Sequence, residues 1–276
     1  MQDISGLASD YKTEIAEYIK RDNLELVNQK VPVVHVKKSF YTQYGKRALD
    51  IVLSLVALIV TAPINAIIAI ITFFDVGRPL IFKQYRMGMN KKKFTIYKFR
   101  NMTNETDRNG CLLPPSQRVT KWGKFVRKTS LDELLNFIPI LIGDMSIIGP
   151  RPLLDSYIGR LNERHRAIYA VRPGLECPPI KKVDHTLSWQ ERLDNYVWYV
   201  ENCSLWVDIQ LCFRVIQIAF DRKNTSQRSN ASQGGFMGYD MDGKVIYSKA
   251  VPDLYVKEFC ENHGYKNLQE AIARRY

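Results

Sequence analysis

The run Ile51 to Phe74, IVLSLVALIVTAPINAIIAIITFF, holds twenty-four residues without a charge. As a helix it is long enough to span a bilayer, which takes roughly twenty apolar residues. Two features constrain how it does so. Pro63 lies at its centre, and proline removes a backbone donor and kinks a helix. Both flanks are basic: Lys46 and Arg47 come before it, and Arg78, Lys83, Arg86 and Lys91-Lys92-Lys93 after it. A spanning helix leaves its positive residues chiefly on the cytoplasmic side. Positive charge at both ends predicts a helix that enters the membrane, breaks near Ala62-Pro63 and returns to the same side. The alternative is a single span with a tolerated kink, since proline does occur in membrane helices.

The chain has 276 residues and a net charge of +12, room for one sizeable domain with appendages. Such a charge calls for nucleic acid, lipid head groups or phosphorylated substrates. Basic clusters beside an apolar run favour anionic membrane lipid, at about 1 kcal/mol per residue near the surface. They form no aromatic-interleaved or helix-turn-helix pattern, so no nucleic acid is expected. Five scattered cysteines (111, 177, 203, 212, 260) without a CxxC argue against a disulfide framework and fit a reducing compartment. The four histidines have no zinc-type spacing. The first apolar run begins some fifty residues in, so no secretory leader is expected.

The pattern reads as a mostly helical α+β protein in five parts. Residues 1–43 are an N-terminal extension, with a helix capped at Ser9 or Asp10 and running to about Asn28. Residues 44–76 are the membrane helix and 77–221 the main domain. Residues 222–235 are a polar linker, and 236–276 a small C-terminal module opened by a hairpin at Met241-Asp242-Gly243-Lys244. Within the main domain Phe94 to Phe99 alternates as a strand, and 103–118 reads as a loop. Lys121 to Lys128 reads as a cationic amphipathic helix lying on a membrane, with Trp122, Phe125 and Val126 on one side. Leu131 to Ile142, Leu153 to Val171 and Ser188 to Phe220 read as helices.

Ser130-Leu131-Asp132-Glu133 opens one of these helices. Ser130 with Glu133 three residues on is a capping-box pattern, which is a structural reading. The functional reading comes from the cations. Lys98, Arg100, Arg127, Arg151 and Arg172 all sit at breaks or element ends, where they can converge on one phosphate-rich ligand. A carboxylate among them would be ionised and available as a nucleophile.

In order along the chain stand Lys46-Arg47-x-x-Asp50, the Pro63 break, Gln84-x-Arg86-x-Gly88, Lys98-Phe99-Arg100-Asn101-Met102 and Gly123-x-x-x-Arg127. Ser130-Leu131-Asp132-Glu133-Leu134, Gly143-Asp144-Met145-Ser146, Gly149-Pro150-Arg151-Pro152 and Arg172-Pro173-Gly174 follow, then Asp194, Tyr196 and Asp208. This series resembles the bacterial sugar transferase family, the monotopic phosphoglycosyl transferases, over roughly residues 44–220. The resemblance implies one re-entrant helix in the bacterial inner membrane, interfacial helices, and an active site at the cytoplasmic face. It implies Asp132 as the nucleophile on a UDP-sugar, release of UMP, and transfer of the phosphosugar to polyprenol phosphate. Glu133 would bind Mg²⁺ or activate the acceptor, and Asp208 would join Asp132 and Glu133 at the metal or assist proton transfer. Lys98, Arg127 and Arg151 would neutralise phosphate, with Arg100 and Arg172 beside them. Downstream glycosyltransferases or a second copy of the chain are the further partners it suggests.

The chain departs from the family pattern in places. Ala62 stands where a serine often precedes the proline, so Pro63 acts alone at the break unless Thr61 or Asn65 compensates. After Arg172-Pro173-Gly174 the usual Thr-Gly is replaced by Leu175-Glu176-Cys177-Pro178-Pro179, with Asp184 where some members carry arginine. Altered donor choice is one consequence. The other is a catalytically impaired homologue that binds nucleotide sugar or a partner at the membrane.

Overall fold

The computed structural model describes residues 1–108, 110, 112–181, 183, 185–220 and 234–274. Asp184 and most of the linker expected at 222–235 lie outside the described residues. Helix α1 (Ser9–Lys30) buries Ile15, Ile19, Asn23 and Val27, a stripe at every fourth residue as an amphipathic helix requires. A short π-helical turn, Tyr41–Gly45, leads into α2 (Lys46–Val76). Gly77 ends α2 at φ +69°, a conformation that favours glycine.

Pro63 does not end α2: the helix continues through the expected break at Ala62-Pro63. Two polar side chains sit beside it. Thr61 Oγ1 donates to Ala57 O at 2.7 Å, and Asn65 Nδ2 donates to Thr61 Oγ1 at 3.3 Å. The helix buries Asp50 and Ser54 near one end and Ile68 and Thr72 near the other, with no buried residue between Ser54 and Ile68. By length and composition it suffices to cross a membrane.

Both ends fasten to the same body. At the first, Arg47 donates to Ile140 O (2.6 Å) and Leu141 O (2.7 Å), and Asp50 accepts from Ser146 Oγ and the Ile147 N–H, both at 3.0 Å. At the second, Thr120 Oγ1 donates to Asp75 (2.6 Å) and Trp122 Nε1 to Thr72 Oγ1 (3.3 Å).

Strands β1 (Ile81–Met87) and β2 (Lys93–Phe99) form an antiparallel hairpin, with Gln84 opposite Ile96. Alternation along β2 turns Phe94 and Ile96 inward, onto Ile140 and Met145. The segment read as a loop contains one short helix, α3 (Pro115–Arg118). Helix α4 (Lys121–Thr129) is capped by Thr120, whose hydroxyl accepts the Gly123 N–H at 2.8 Å. Phe125 is half exposed beside Trp122.

The continuous helix read over Leu131 to Ile142 is two pieces, a 3-10 segment Leu131–Asn136 and α5 (Phe137–Ile142). The capping box at Ser130 does not form. Ser130 takes a left-handed conformation, φ +58°, with no side-chain cap bond. The box forms instead at Ser188 and Glu191. Gly143 closes α5 at φ +103°.

Strand β3 (Ser146–Ile148) pairs in parallel with a later strand, Gly174–Glu176. The segment Leu153 to Val171 is not one helix. It holds 3-10 turns Asp155–Arg160 and Ala167–Ala170 around α6 (Glu163–Arg166). Asn162 accepts the His165 N–H at 2.8 Å and restarts the chain as α6. Strand β4 (Gly174–Glu176) then completes the pair. A Cβ on Gly174 would lie 2.1 Å from Gly149 N, so these two glycines let the two proline-rich turns meet.

Ser188 to Phe220 divides into α7 (Trp189–Asn202) and α8 (Leu205–Phe220). Trp189, Tyr196 and Tyr199 are core, while Trp206, Ile209, Phe213 and Ile216 of α8 are exposed. Strands β5 (Phe236–Tyr239) and β6 (Val245–Tyr247) and helices α9 (Asp253–His263) and α10 (Leu268–Ala273) follow. The N-terminal extension and the C-terminal segment share one core: Ile4, Leu7, Ile15 and Ile19 pack with Met237, Tyr255, Val256 and Phe259. The main core gathers α7, Ile148, Leu161, Phe236 and Tyr239.

Candidate active site

A cavity of about 1090 Å³ opens between β2, α4, the 3-10 segment and β4. Asp132 and Glu133 lie on its wall in the first turn of Leu131–Asn136. Their placement follows from the chain on either side. Left-handed Ser130 turns the backbone sharply after α4, and Asn136 Oδ1 accepts the Tyr97 N–H at 3.0 Å, pinning the segment to β2.

The two acids stand in different surroundings. Asp132 is 5% exposed, and Asn101 Nδ2 donates to its Oδ2 at 3.2 Å. Burial pushes its carboxyl above the ordinary aspartate range, and the Glu133 charge adds to this, against the pull of Lys98 and Arg127. Glu133 accepts two charged donors, Lys98 Nζ at 2.6 Å and Arg151 Nη2 at 2.8 Å, both on Oε1. Burial would raise it, but Arg151 and Lys98 outweigh that and hold it at about 2. One acid is therefore charge-compensated, and the other is held chiefly by an uncharged amide.

Six basic side chains, Lys98, Arg100, Arg118, Arg127, Lys128 and Arg151, line the cavity with three carboxylates, Asp132, Glu133 and Glu176. The excess of positive charge suits a phosphate-bearing ligand. Arg100 donates to Arg78 O at 3.0 Å. Lys98, Arg100, Arg127 and Arg151 are thus brought together.

Arg172 is not. Its Nε donates to Gly143 O at 3.0 Å, so it holds the C-terminus of α5 and does not line the cavity. Asp208 is also elsewhere. It pairs with Lys46 at 2.6 Å, accepts from Tyr41 and Tyr199, and lines a second cavity of about 180 Å³ between α2 and α8. The expected grouping of Asp208 with Asp132 and Glu133 does not form, because α8 holds Asp208 against Lys46 in the first turn of α2, away from the wall that carries the two acids. Among the described residues no three His, Cys, Asp or Glu side chains gather to hold a metal ion. A Mg²⁺ ion needs only one or two carboxylates when substrate phosphates complete its shell; the cavity wall offers Asp132 and Glu133, of which Glu133 already carries Lys98 and Arg151.

Asp194 accepts from Arg164, His165 and Gln190. Burial pushes it up, but the bonds from His165 and Gln190 hold it at about 2. It serves the packing of α6 against α7. The sequence motifs alone assign no role to Asn101 or Glu176. Asn101 had a signal, its place inside Lys98-Phe99-Arg100-Asn101-Met102, and Glu176 lay in the departing loop.

A family model described as bacterial sugar transferase matches residues 41–222. An uncharacterized sugar transferase of Bacillus subtilis, EpsL, is 34% identical over 193 residues, 70% of this chain and 96% of its own length. The UDP-glucose:undecaprenyl-phosphate glucose-1-phosphate transferase of Klebsiella pneumoniae is 33% identical over 193 residues, 65% of this chain and 41% of its own. The UDP-N-acetylgalactosamine-undecaprenyl-phosphate N-acetylgalactosaminephosphotransferase of Aeromonas hydrophila is 30% identical over 182 residues, 62% of this chain and 43% of its own. The chain thus spans less than half the length of the latter two relatives, and nearly all of the first.

Proposed function

The chain belongs to the bacterial sugar transferase family, and we propose that it moves a phosphosugar from a UDP-sugar to a polyprenol phosphate at the cytoplasmic face of a bacterial inner membrane. The observation that carries this is the division between the two acids. Glu133 is neutralised by Lys98 and Arg151, while Asp132 faces the same basic cavity without a direct ion pair to either cation. A carboxylate in that state is a nucleophile.

In the first step an Asp132 oxygen attacks the β-phosphorus of the donor. The bond from that phosphorus to the bridging oxygen breaks, and UMP leaves with the oxygen. In the second step a phosphate oxygen of the acceptor attacks the same phosphorus. The aspartyl–phosphate bond breaks, restoring Asp132 and giving polyprenol-diphosphate sugar. Lys98, Arg100, Arg127 and Arg151 would neutralise the charge of the phosphates, which is the main demand of phosphoryl transfer. Asp132 and Glu133 would hold Mg²⁺, which when bound supplies further charge neutralisation at the diphosphate.

For α2 the reading is a helix bent at Pro63 that dips into one leaflet. Straight, its 31 residues would measure about 46 Å. Yet Arg47 and Asp50 at one end, and Thr72 and Asp75 at the other, all bond to residues 120–147, and the middle is unburied. Cysteines placed at Gly45 and Leu80 should label from the same side of the membrane; opposite-side labelling would establish a span.

The reaction is tested by UMP release from purified protein with Mg²⁺, polyprenol phosphate and a panel of UDP-sugars. Asp132→Asn should abolish release while the protein still folds and inserts. Full turnover in that variant would remove Asp132 as nucleophile. Silence of the folded wild type across a broad panel would favour a membrane-bound nucleotide-sugar-binding or partner-binding homologue.

A further inference from the structure

Arg151 is clamped from two sides. Its Nη2 lies 2.8 Å from Glu133 Oε1, and its Nη1 lies 3.2 Å from Glu176 Oε2 and 3.4 Å from Leu175 O. The clamp is built into the backbone. Glu176 stands opposite Ile148 in the β3–β4 pair, its carbonyl accepts the Gly149 N–H at 3.3 Å, and Pro150 and Pro152 flank Arg151. Glu176 Oε1 is oriented by the Cys177 N–H at 3.3 Å.

The two contacts are unequal. Charge-assisted N–H···O bonds run at about 2.7–2.9 Å, so the Glu133 contact is a full one and the Glu176 contact is the looser. Both Arg151 and Glu176 line the 1090 Å³ cavity. A carboxylate on the cavity wall therefore already engages an arginine that an anionic ligand would use.

We propose that Glu176 is a positioning residue that acts as an internal competitor: it holds Arg151 in the free protein and yields it to the diphosphate of an incoming nucleotide sugar. This rests on the reading of the cavity as a donor site. Glu176 weakens binding of nucleoside diphosphates by carrying a like charge beside the diphosphate and by occupying its arginine. The same effect lowers the affinity of the departing nucleotide. Removing the charge tightens substrate and product binding alike, which lowers KM without raising kcat.

The test is calorimetric titration of UDP, with Mg²⁺ and without acceptor, into wild type, Glu176→Gln and Glu176→Ala. Both variants should bind UDP about fivefold tighter at low salt, with the gain shrinking as salt rises. Donor KM should fall and kcat should not rise. A purely structural role for Glu176 would lower the melting temperature and would not tighten UDP. Equal or weaker UDP binding in both folded variants, beside a wild type that binds, overturns the role of Glu176 alone. A wild type that does not bind UDP overturns the donor-site reading and this proposal with it.

Discussion

Lys46 Nζ lies 2.6 Å from Asp208 Oδ2, and the two side chains are only 13% and 9% exposed. The pair ties the first turn of α2 to α8, and Tyr199 adds a hydrogen bond to Asp208 at 2.7 Å. Breaking a buried pair from one side leaves an uncompensated charge, at about 3–5 kcal/mol. Lys46→Met should therefore destabilise by about that amount, and Lys46→Met with Asp208→Asn by distinctly less. Thermal unfolding of the four proteins in one detergent measures it. Additive losses would show that the pair contributes no coupling.

The bond from Asn101 to Asp132 favours the charged form of the acid. Asn101→Ala should move the acid limb of kcat/KM to higher pH. It should also lower the rate at neutral pH about ten- to a hundredfold, the equivalent of a hydrogen bond to a charged group. An unchanged pH profile would assign Asn101 to packing alone.

Asp132 and Glu133 affect stability in opposite senses. The folded-state carboxyl of Asp132 is raised, so its contribution is favourable at low pH and is lost as pH rises through the raised value. At neutral pH its ionisation is a cost, and Asp132→Asn should melt no lower than wild type. Glu133 is depressed to about 2. Its contribution is present above the ordinary glutamate range and is lost as pH falls toward that value. Glu133→Gln should melt lower at neutral pH, with the difference closing in acid.

Gly123 sits where a Cβ would meet Asn101 O at 2.1 Å and Asn101 C at 2.9 Å. The obstacle is backbone, which moves only by shifting the segment that carries Asn101. Gly123→Ala should therefore reduce turnover by displacing Asn101 from Asp132, well beyond its effect on unfolding. Normal turnover in a stable variant would show that α4 can slide without disturbing the acid.

The sequence made the cavity legible and its edges less so. Asp132, Glu133, Lys98, Arg127 and Arg151 stand in motifs whose order along the chain resembles one family, and the fold brings them to one wall. Arg172, in an equally clear motif, and Asp208, a single matching position, instead bond to the frame, one on the Gly143 carbonyl and the other on Lys46. Motif membership does not separate a ligand contact from a support, because only the tertiary partner decides. Ser130 shows the same limit locally: its spacing to Glu133 fits a capping box, yet the cations facing Glu133 draw that side chain into the cavity. The stretches 131–142 and 153–171 read as continuous helices because their apolar periodicity carries across the change from 3-10 to α geometry at Phe137 and the extended residues Leu161 and Asn162. Asp184, which stands where some members of the family carry arginine, lies outside the described residues.

The shared core of the two chain ends gives the last prediction. Phe259 is fully buried against the N-terminal helix, and Asn23 Nδ2 donates to Tyr255 OH at 2.8 Å in the same interface. Phe259→Ala should cost about 3–5 kcal/mol in the stability of this unit. Removing 234–276 should leave Ile15 and Ile19 of α1 without their partners. Hydrogen exchange reads the result directly: α1 amides should lose protection in the truncated chain, while β1 and β2 keep theirs. Retained protection in α1 would mean that the helix is held by Leu24 and Val27 on the main core, and that the C-terminal segment is an addition the N-terminus does not need.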